Sequence, residues 1–490
     1  MILTVIGHDF RYELEKLCRI FLPFEKIEIT EELKAEDISA VTVCKKGESE
    51  TFLEAVLSLY GKEFRFNATI QNDISDYKDT CERELAVCLY NCFTAATGYV
   101  PPWGILTGVR PAKLYARLCR TEGESATDKY FKEKLLVSEE KISLCKETHK
   151  SEDSIVSLSA PESFSLYISI PFCPSRCSYC SFVSHSVEHA KKLIPQYVEL
   201  LCEELKITAE YAKQHSLRLE TIYMGGGTPT TLSAEQLNTV LSTVRENFDM
   251  SFIREFTVEA GRPDTITREK LMALRKNGVS RISINPQTMN DSVLSAIGRR
   301  HTAQQTVEAF RLARECGFDN INTDLIAGLP TDTIESFEAT LDKILELSPE
   351  SVTVHSLSMK RAATLSTDKA VLPADIGNTA QAMVRSAHER LSAEGIVPYY
   401  MYRQSKTVGN LENVGYSKAG FECLYNVYIM DETHTILACG ASAVTKLKEP
   451  SGDYIERIFN YKYPYEYITR FGELMDRKAR ISSFYETYRK

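Results

Sequence analysis

The sequence predicts an α/β protein: a partial barrel of six βα units, preceded by an N-terminal α/β region and followed by an α+β cap. Three observations lead there. From Ser163 onward, short apolar stretches alternate with helical ones, the mark of a parallel sheet. The units number six rather than eight, which suits a barrel that stays open. The polar and glycine-rich motifs fall at the carboxyl ends of the predicted strands, where parallel sheets bind ligands. The parts divide at 1–160, 161–374 and 375–490.

In the first part, Ile2–Ile6 reads as a short apolar strand, and Asp9–Phe21 has helical spacing through Phe10, Leu14, Leu17 and Ile20. Ile27–Ile29 and Val41–Cys44 read as further strands, and Glu82–Thr97 as an amphipathic helix. Cys88 and Cys92 share one face of that helix, either as a metal pair or as small buried apolar groups. The stretch Tyr99–Leu114 holds the only tryptophan and several turn formers. Turn chemistry accounts for its glycines and prolines, while Arg110 and Lys113 offer charge to an anionic substrate. Ser151–Pro161 is a polar linker.

The barrel strands are Ser165–Ile170, Thr221–Met224, Glu255–Glu259, Arg281–Asn285, Asn320–Ile326 and Ser351–Leu357. Helices between them include Leu193–Ala212, Ala234–Asn247, Arg268–Asn277, Thr302–Cys316 and Thr333–Leu347. In the last part, the glycine-rich stretches Met401–Gly420 and Ala438–Lys446 read as loops that cap the barrel mouth and exclude water. Arg403 and Lys406 are either partners for substrate carboxylates or solvated surface charges. The tyrosines from Tyr461 to Tyr467 read as packing.

Composition narrows the class. With 43% hydrophobic and 26% charged residues the chain is neither disordered nor fibrous. Its 58 basic and 67 acidic residues give −9, which argues against non-specific nucleic-acid binding. No apolar run approaches the ~20 residues a membrane-spanning helix needs. Met1–Asp9 lacks the pattern of an export signal, and the 14 scattered cysteines are no disulfide framework. Both point to the cytoplasm.

The chemistry concentrates at Ile170–Phe182, I-P-F-C-P-S-R-C-S-Y-C-S-F. Cys173, Cys177 and Cys180 stand at spacings C-x3-C-x2-C. Soft thiolates suit an iron–sulfur cluster or zinc. A structural zinc site wants a fourth ligand, and His185 and His189 make no tight knuckle with this loop. Cysteines that merely fill a core do not sit among Pro174, Ser175, Arg176 and Ser178.

These spacings, with an aromatic before the third cysteine, resemble the radical S-adenosylmethionine (SAM) superfamily. The longer string L-Y-I-S-I-P-F-C-x3-C-x-Y-C-x-F is similar to the oxygen-independent coproporphyrinogen III oxidase/dehydrogenase family, HemZ type. The resemblance implies that the three cysteines hold a [4Fe–4S] cluster whose open iron binds SAM, and that an electron from it cleaves SAM to a 5′-deoxyadenosyl radical. The implied reaction is oxidative decarboxylation of two propionates to vinyl groups, giving protoporphyrinogen IX in heme biosynthesis.

Other residues follow by the same resemblance. Gly225-Gly226-Gly227-Thr228-Pro229 is similar to the superfamily's glycine motif, so Gly226, Gly227 and Thr228 would hold SAM, with Glu259 and Tyr167. Tyr179 would cover the cluster. Gln287, Arg299 in Gly298-Arg299-Arg300-His301, and Asp324 would hold SAM or a second molecule of it. Arg403, Lys406 and Arg110 are the candidate substrate contacts. The implied partners are a tetrapyrrole and an electron donor such as flavodoxin or ferredoxin, with the protein a monomer.

Two departures from the family's patterns bear on activity. Phe182 stands where the well-studied oxidases carry a further cysteine, and Tyr425-Asn426-Val427-Tyr428-Ile429-Met430 lacks the histidine and Tyr-Trp of the related heme chaperones' H-N-x-x-Y-W. A heme-delivery protein and a heme-cleaving radical SAM enzyme are the competing expectations.

Overall fold

The computed structural model describes residues 1–34, 36–180, 185–358, 374–404 and 406–488. By compactness the chain forms two units. The first comprises Met1–Glu147, a short segment ending at Asn378, and Tyr402–Glu412. The second holds the rest of the chain from Thr148. Chain beyond residue 375 thus serves both units, and the three-part division stands as a proposal about modules.

The first unit is built on a five-stranded sheet of β1 (Ile2–Ile6), β2 (Glu28–Thr30), β3 (Ile38–Lys46), β4 (Glu50–Leu59) and β5 (Lys62–Gln71), in the order β2-β1-β3-β4-β5. The hairpin β4–β5 was not expected from the sequence, although Thr51–Leu59 alternates and Tyr60-Gly61 supplies the turn. Both turn residues have positive φ, 48° and 79°, as a two-residue hairpin with the right twist requires. The helix Tyr77–Thr97 covers the sheet and buries Cys88 and Cys92. Cys92 Sγ donates to the carbonyls of Ala55 and Phe64, so this pair packs as small buried groups.

Trp103 is fully buried and anchors a charged cluster in this unit. Its Nε1 donates to Glu412 Oε2 at 2.7 Å, and Lys141 Nζ lies 2.8 Å from Glu412 Oε1. Lys141 offsets the burial of Glu412 and, with the indole, holds its carboxyl below the usual range. Removing one partner of such a pair leaves a buried charge uncompensated. Lys141→Met is therefore expected to destabilise this unit by about 3–5 kcal/mol. As Trp103 is the only tryptophan, denaturant unfolding followed by its fluorescence reads this unit directly.

In the second unit, the six expected barrel strands are present as β6 (Ser163–Ile170), β9 (Arg218–Gly226), β10 (Glu255–Glu259), β11 (Arg281–Ser283), β12 (Ile321–Ala327) and β13 (Ser351–Ser356). A two-stranded parallel pair, β7 (Phe172–Cys173) and β8 (His185–Ser186), lies in sequence between β6 and β9. Neighbouring barrel strands pair in parallel in the order β6-β9-β10-β11-β12-β13. The stretches Met401–Gly420 and Ala438–Lys446, expected as loops, contribute to strands that extend both edges of this sheet. Strands β14 (Val397–Arg403) and β15 (Glu412–Ser417) follow β13, while β16 (Thr435–Cys439), β17 (Val444–Lys448) and β18 (Ile455–Phe459) follow β6.

Alternation along the strands positions the site. Leu166, Ile168, Ile222, Met224, Phe256, Val258 and Ile282 pack into one apolar core. The intervening residues carry hydrogen-bonding groups: Thr221 donates to Ser165, Asn322 donates to Ser283 and Asp324, and Arg281 donates to Ser351. Parallel strands are usually apolar on both faces. Here one face is a polar ladder, and buried polar groups of this kind persist because they are paired.

Candidate active site

The glycine strip fixes the mouth of the barrel. Gly227 N donates to Ile170 O and Thr228 N to Phe172 O, both at 2.7 Å, which ties the end of β9 to the chain entering the cysteine loop. A Cβ on Gly227 would stand 2.5 Å from the Phe172 carbonyl oxygen, and one on Gly225 would stand 2.9 Å from both the Glu259 carboxyl and the Tyr223 ring. Backbone and acid approach this closely only because side chains are absent. Gly227→Ala is expected to displace the cysteine loop and lower iron bound per chain several-fold after reconstitution, read by iron assay.

Cys173, Cys177 and Cys180 lie on one loop, and Cys180 N donates to Cys177 O at 3.2 Å. Two of the sulfurs have donors beside them. Thr228 Oγ1 is 3.5 Å from Cys173 Sγ, and Arg262 Nη1 is 3.8 Å from Cys177 Sγ. Arg262 was not singled out from the sequence, although it stands only three residues after Glu259. Ser178 anchors the loop through its N and Oγ, both donating to Ile297 O. Phe182 lies outside the described residues, as does the side chain of His189.

Arg299 was expected to hold SAM or a second molecule of it. Its Nη2 and Nε donate to Tyr179 Oη at 2.8 and 3.3 Å, and its Nη1 to the carbonyls of Gly261 and Asn285. Its visible work is to brace Tyr179, and with it the cysteine loop, against the ends of β10 and β11.

Tyr167, Tyr223 and Tyr425 form a stack. The Tyr223 and Tyr425 rings are 4.7 Å apart, and Tyr167 lies about 6 Å from each. Tyr223 Oη donates to Glu259 Oε1 at 2.7 Å. Burial pushes the Glu259 carboxyl up to about 7, with the Asp324 charge adding to the rise and the Tyr223 hydrogen bond opposing it. Asp324 behaves oppositely. Burial raises its carboxyl, but His355, 3.8 Å away, and Asn322 together hold it below the ordinary value. Two neighbouring acids are thus set apart by their partners.

Gln287 follows β11 with φ 73°, a backbone region a non-glycine residue seldom adopts. Its N donates to Asp324 O and its O accepts from Ile326 N, so a bridge to β12 holds it there. Strain of this kind collects at functional sites.

The three candidate substrate contacts, Arg110, Arg403 and Lys406, belong to the first unit. Arg403 is 4% exposed and stacked over Trp103; its Nη1 donates to the carbonyls of Leu106 and Gly108 and its Nη2 to that of Asn410. These contacts make it a structural staple of the first unit. Lys406 is exposed and Arg110 half-buried, both also in the first unit.

Among the described residues, no three His, Cys, Asp or Glu side chains gather around a single ion. A cubane asks for something different, since each thiolate binds its own iron. The loop meets that demand with three cysteines on one polar turn, donors against two sulfurs, and a glycine cradle alongside. Among the described residues, no helix is long and apolar enough to cross a membrane.

Comparison with known proteins agrees with this geometry. Residues 167–344 match the Radical SAM superfamily. The chain is 39% identical over 394 residues to the oxygen-independent coproporphyrinogen-III oxidase-like protein HemZ of Bacillus subtilis, covering 80% of this chain and 79% of that one. It is 31% identical over 309 residues to the heme chaperone HemW of Haemophilus influenzae, covering 62% and 75%. Coproporphyrinogen III oxidase (HemN) from Escherichia coli, a radical SAM enzyme of known structure, shares the fold with a TM-score of 0.52 at 24% identity, over 66% of this chain and 74% of that one. The cofactors are those expected from the cysteine loop, a [4Fe–4S] cluster and SAM. With the cysteine loop, the glycine strip and the six-stranded core in one chain, this protein belongs to the radical SAM superfamily and, within it, to the HemZ type of the oxygen-independent coproporphyrinogen III oxidase-like family.

Proposed function

We propose that the protein is an oxygen-independent coproporphyrinogen III dehydrogenase. The observation that carries the reading is the meeting, in one unit, of the cysteine loop, the glycine strip and Glu259. Bound cluster and SAM supply a hydrogen-abstracting carbon radical. Cys173, Cys177 and Cys180 hold the cluster. Gly226, Gly227, Thr228, Tyr167 and Glu259 seat the SAM that is cleaved, with the ionised Glu259 accepting from its polar groups. Gln287, Arg299 and Asp324 hold SAM or a second molecule of it, while Tyr179, which Arg299 also braces, covers the cluster. Each propionate loses one β-hydrogen atom to the radical, then carbon dioxide and one electron. The electron leaves to a one-electron acceptor and a vinyl group remains. The protein works in the cytoplasm as a monomer with a flavodoxin- or ferredoxin-type donor.

Anaerobic reconstitution with reductant, SAM and coproporphyrinogen III tests this. Protoporphyrinogen and 5′-deoxyadenosine are expected together. SAM cleavage that ignores the substrate, with no decarboxylated product, overturns the reading. The similarity to heme chaperones favours one alternative, heme delivery on the same scaffold. Stable heme on the purified protein with no vinyl product would select it, and cleaved heme would instead mark a heme-degrading enzyme.

A further inference from the structure

Arg262 is 3% exposed, yet nothing in the SAM or substrate chemistry above uses it. Its backbone is pinned, since Thr265 N and Oγ1 both donate to Arg262 O, at 2.9 and 2.8 Å. Nε and Nη2 reach Asp264 at 3.1 and 3.3 Å. The remaining donors reach the cysteine loop: Nη2 to Ser175 Oγ at 3.2 Å, and Nη1 to Ser175 O at 3.4 Å and Cys177 Sγ at 3.8 Å. Burial costs a guanidinium its hydration, and an anionic partner offsets that cost. Asp264 is one, and the Cys177 sulfur, once a thiolate, is the other. The planar fork of arginine serves both at once, which an ammonium does not.

We propose that Arg262 is a positioning residue for the cluster, one that clamps the loop carrying Cys177 and holds a positive charge against that sulfur, making the cluster easier to reduce. Reduction adds negative charge, and a nearby cation stabilises the reduced state more than the oxidised one. Hydrogen bonds and charge at the sulfurs are recognised levers on cluster potential. Asp264 opposes the effect by neutralising part of the guanidinium. The inference rests on the cluster assignment and is independent of the tetrapyrrole.

Redox titration of the reconstituted cluster, followed by electron paramagnetic resonance beside an iron assay, tests it. Arg262→Gln is expected to shift the midpoint negative by a tenfold change in the reduction equilibrium, about 59 mV for one electron. Arg262→Lys, which keeps the charge, is expected to stay closer to the parent. Asp264→Asn is expected to shift the midpoint the other way. A purely structural role would lower iron content without opposite shifts. Iron-replete Arg262→Gln at the parental potential overturns the proposal. If Arg262→Gln holds no iron, Asp264→Asn decides, and an unchanged or negative shift there overturns it. Full iron binding by Cys177→Ser would instead remove the cluster assignment itself.

Discussion

Cys177→Ser is expected to abolish iron binding to the loop and, with it, SAM cleavage, leaving 5′-deoxyadenosine at background. A hydroxyl at this position is a hard, weakly acidic ligand, whereas iron–sulfur clusters are held by soft thiolates. Cys177 is also the buried member of the trio, with Arg262 against its sulfur. The substitution therefore removes a ligand and leaves a buried guanidinium with one anion fewer. Cys173→Ser and Cys180→Ser are expected to give the same loss of iron. By contrast, Cys88→Ser and Cys92→Ser, at buried positions of the first unit, are expected to leave iron content unchanged while costing stability. Iron and sulfide assays with the absorption spectrum check all five. Retained iron in the three loop variants would contradict the assignment.

Glu259→Gln is expected to weaken SAM binding to the reconstituted protein by roughly 10–100-fold, the loss of charged hydrogen bonding worth about 1.5–3 kcal/mol. The parent should also bind SAM more tightly as pH rises through about 7, where the Glu259 carboxyl ionises, and the amide variant should lose that dependence. Equilibrium binding across pH checks both.

Stability without SAM should respond in the opposite sense. The folded-state value is raised from 4.5 to about 7, so the protonated form is favoured by folding. That stabilising contribution is complete below 4.5 and is lost as pH rises through about 7. At about 1.36 kcal/mol per unit, the difference is up to about 3 kcal/mol. Glu259→Gln should accordingly be more stable than the parent at pH 8 without ligand. Equal stability at pH 8 would mean that this carboxylate is solvated in the folded protein.

Much of the architecture was legible because it is local. The strand Glu255–Glu259 and the strand Ile2–Ile6 have the bounds read from hydrophobic pattern, and the other barrel strands differ by a few residues at their ends. The polar ladder was also present in the strings themselves, since Ser, Thr, Tyr and Glu alternate with Ile, Val, Leu and Phe along β6, β9 and β10. The hairpin β4–β5 was missed for a lesser reason, as its alternation and Tyr60-Gly61 turn were readable.

The arginines were a different matter. Arg299, Arg403 and Arg262 look alike in sequence as cations near motifs. Their roles depend on which carbonyls, carboxylates or sulfurs come within reach after distant segments meet. Arg299 meets Tyr179 across 120 positions, and Arg403 meets Leu106 across 297.

The sequence by itself determined the six-unit parallel core, the trio of thiols and the glycines that let backbone close on them, because strand periodicity and ligand spacing are written over a few residues. Tertiary structure alone decided that Glu259 is poised near neutrality while Asp324 is held acidic, and that one arginine braces the loop while another touches a sulfur. Those outcomes depend on burial and on partners far along the chain, and burial is a property of the assembled fold.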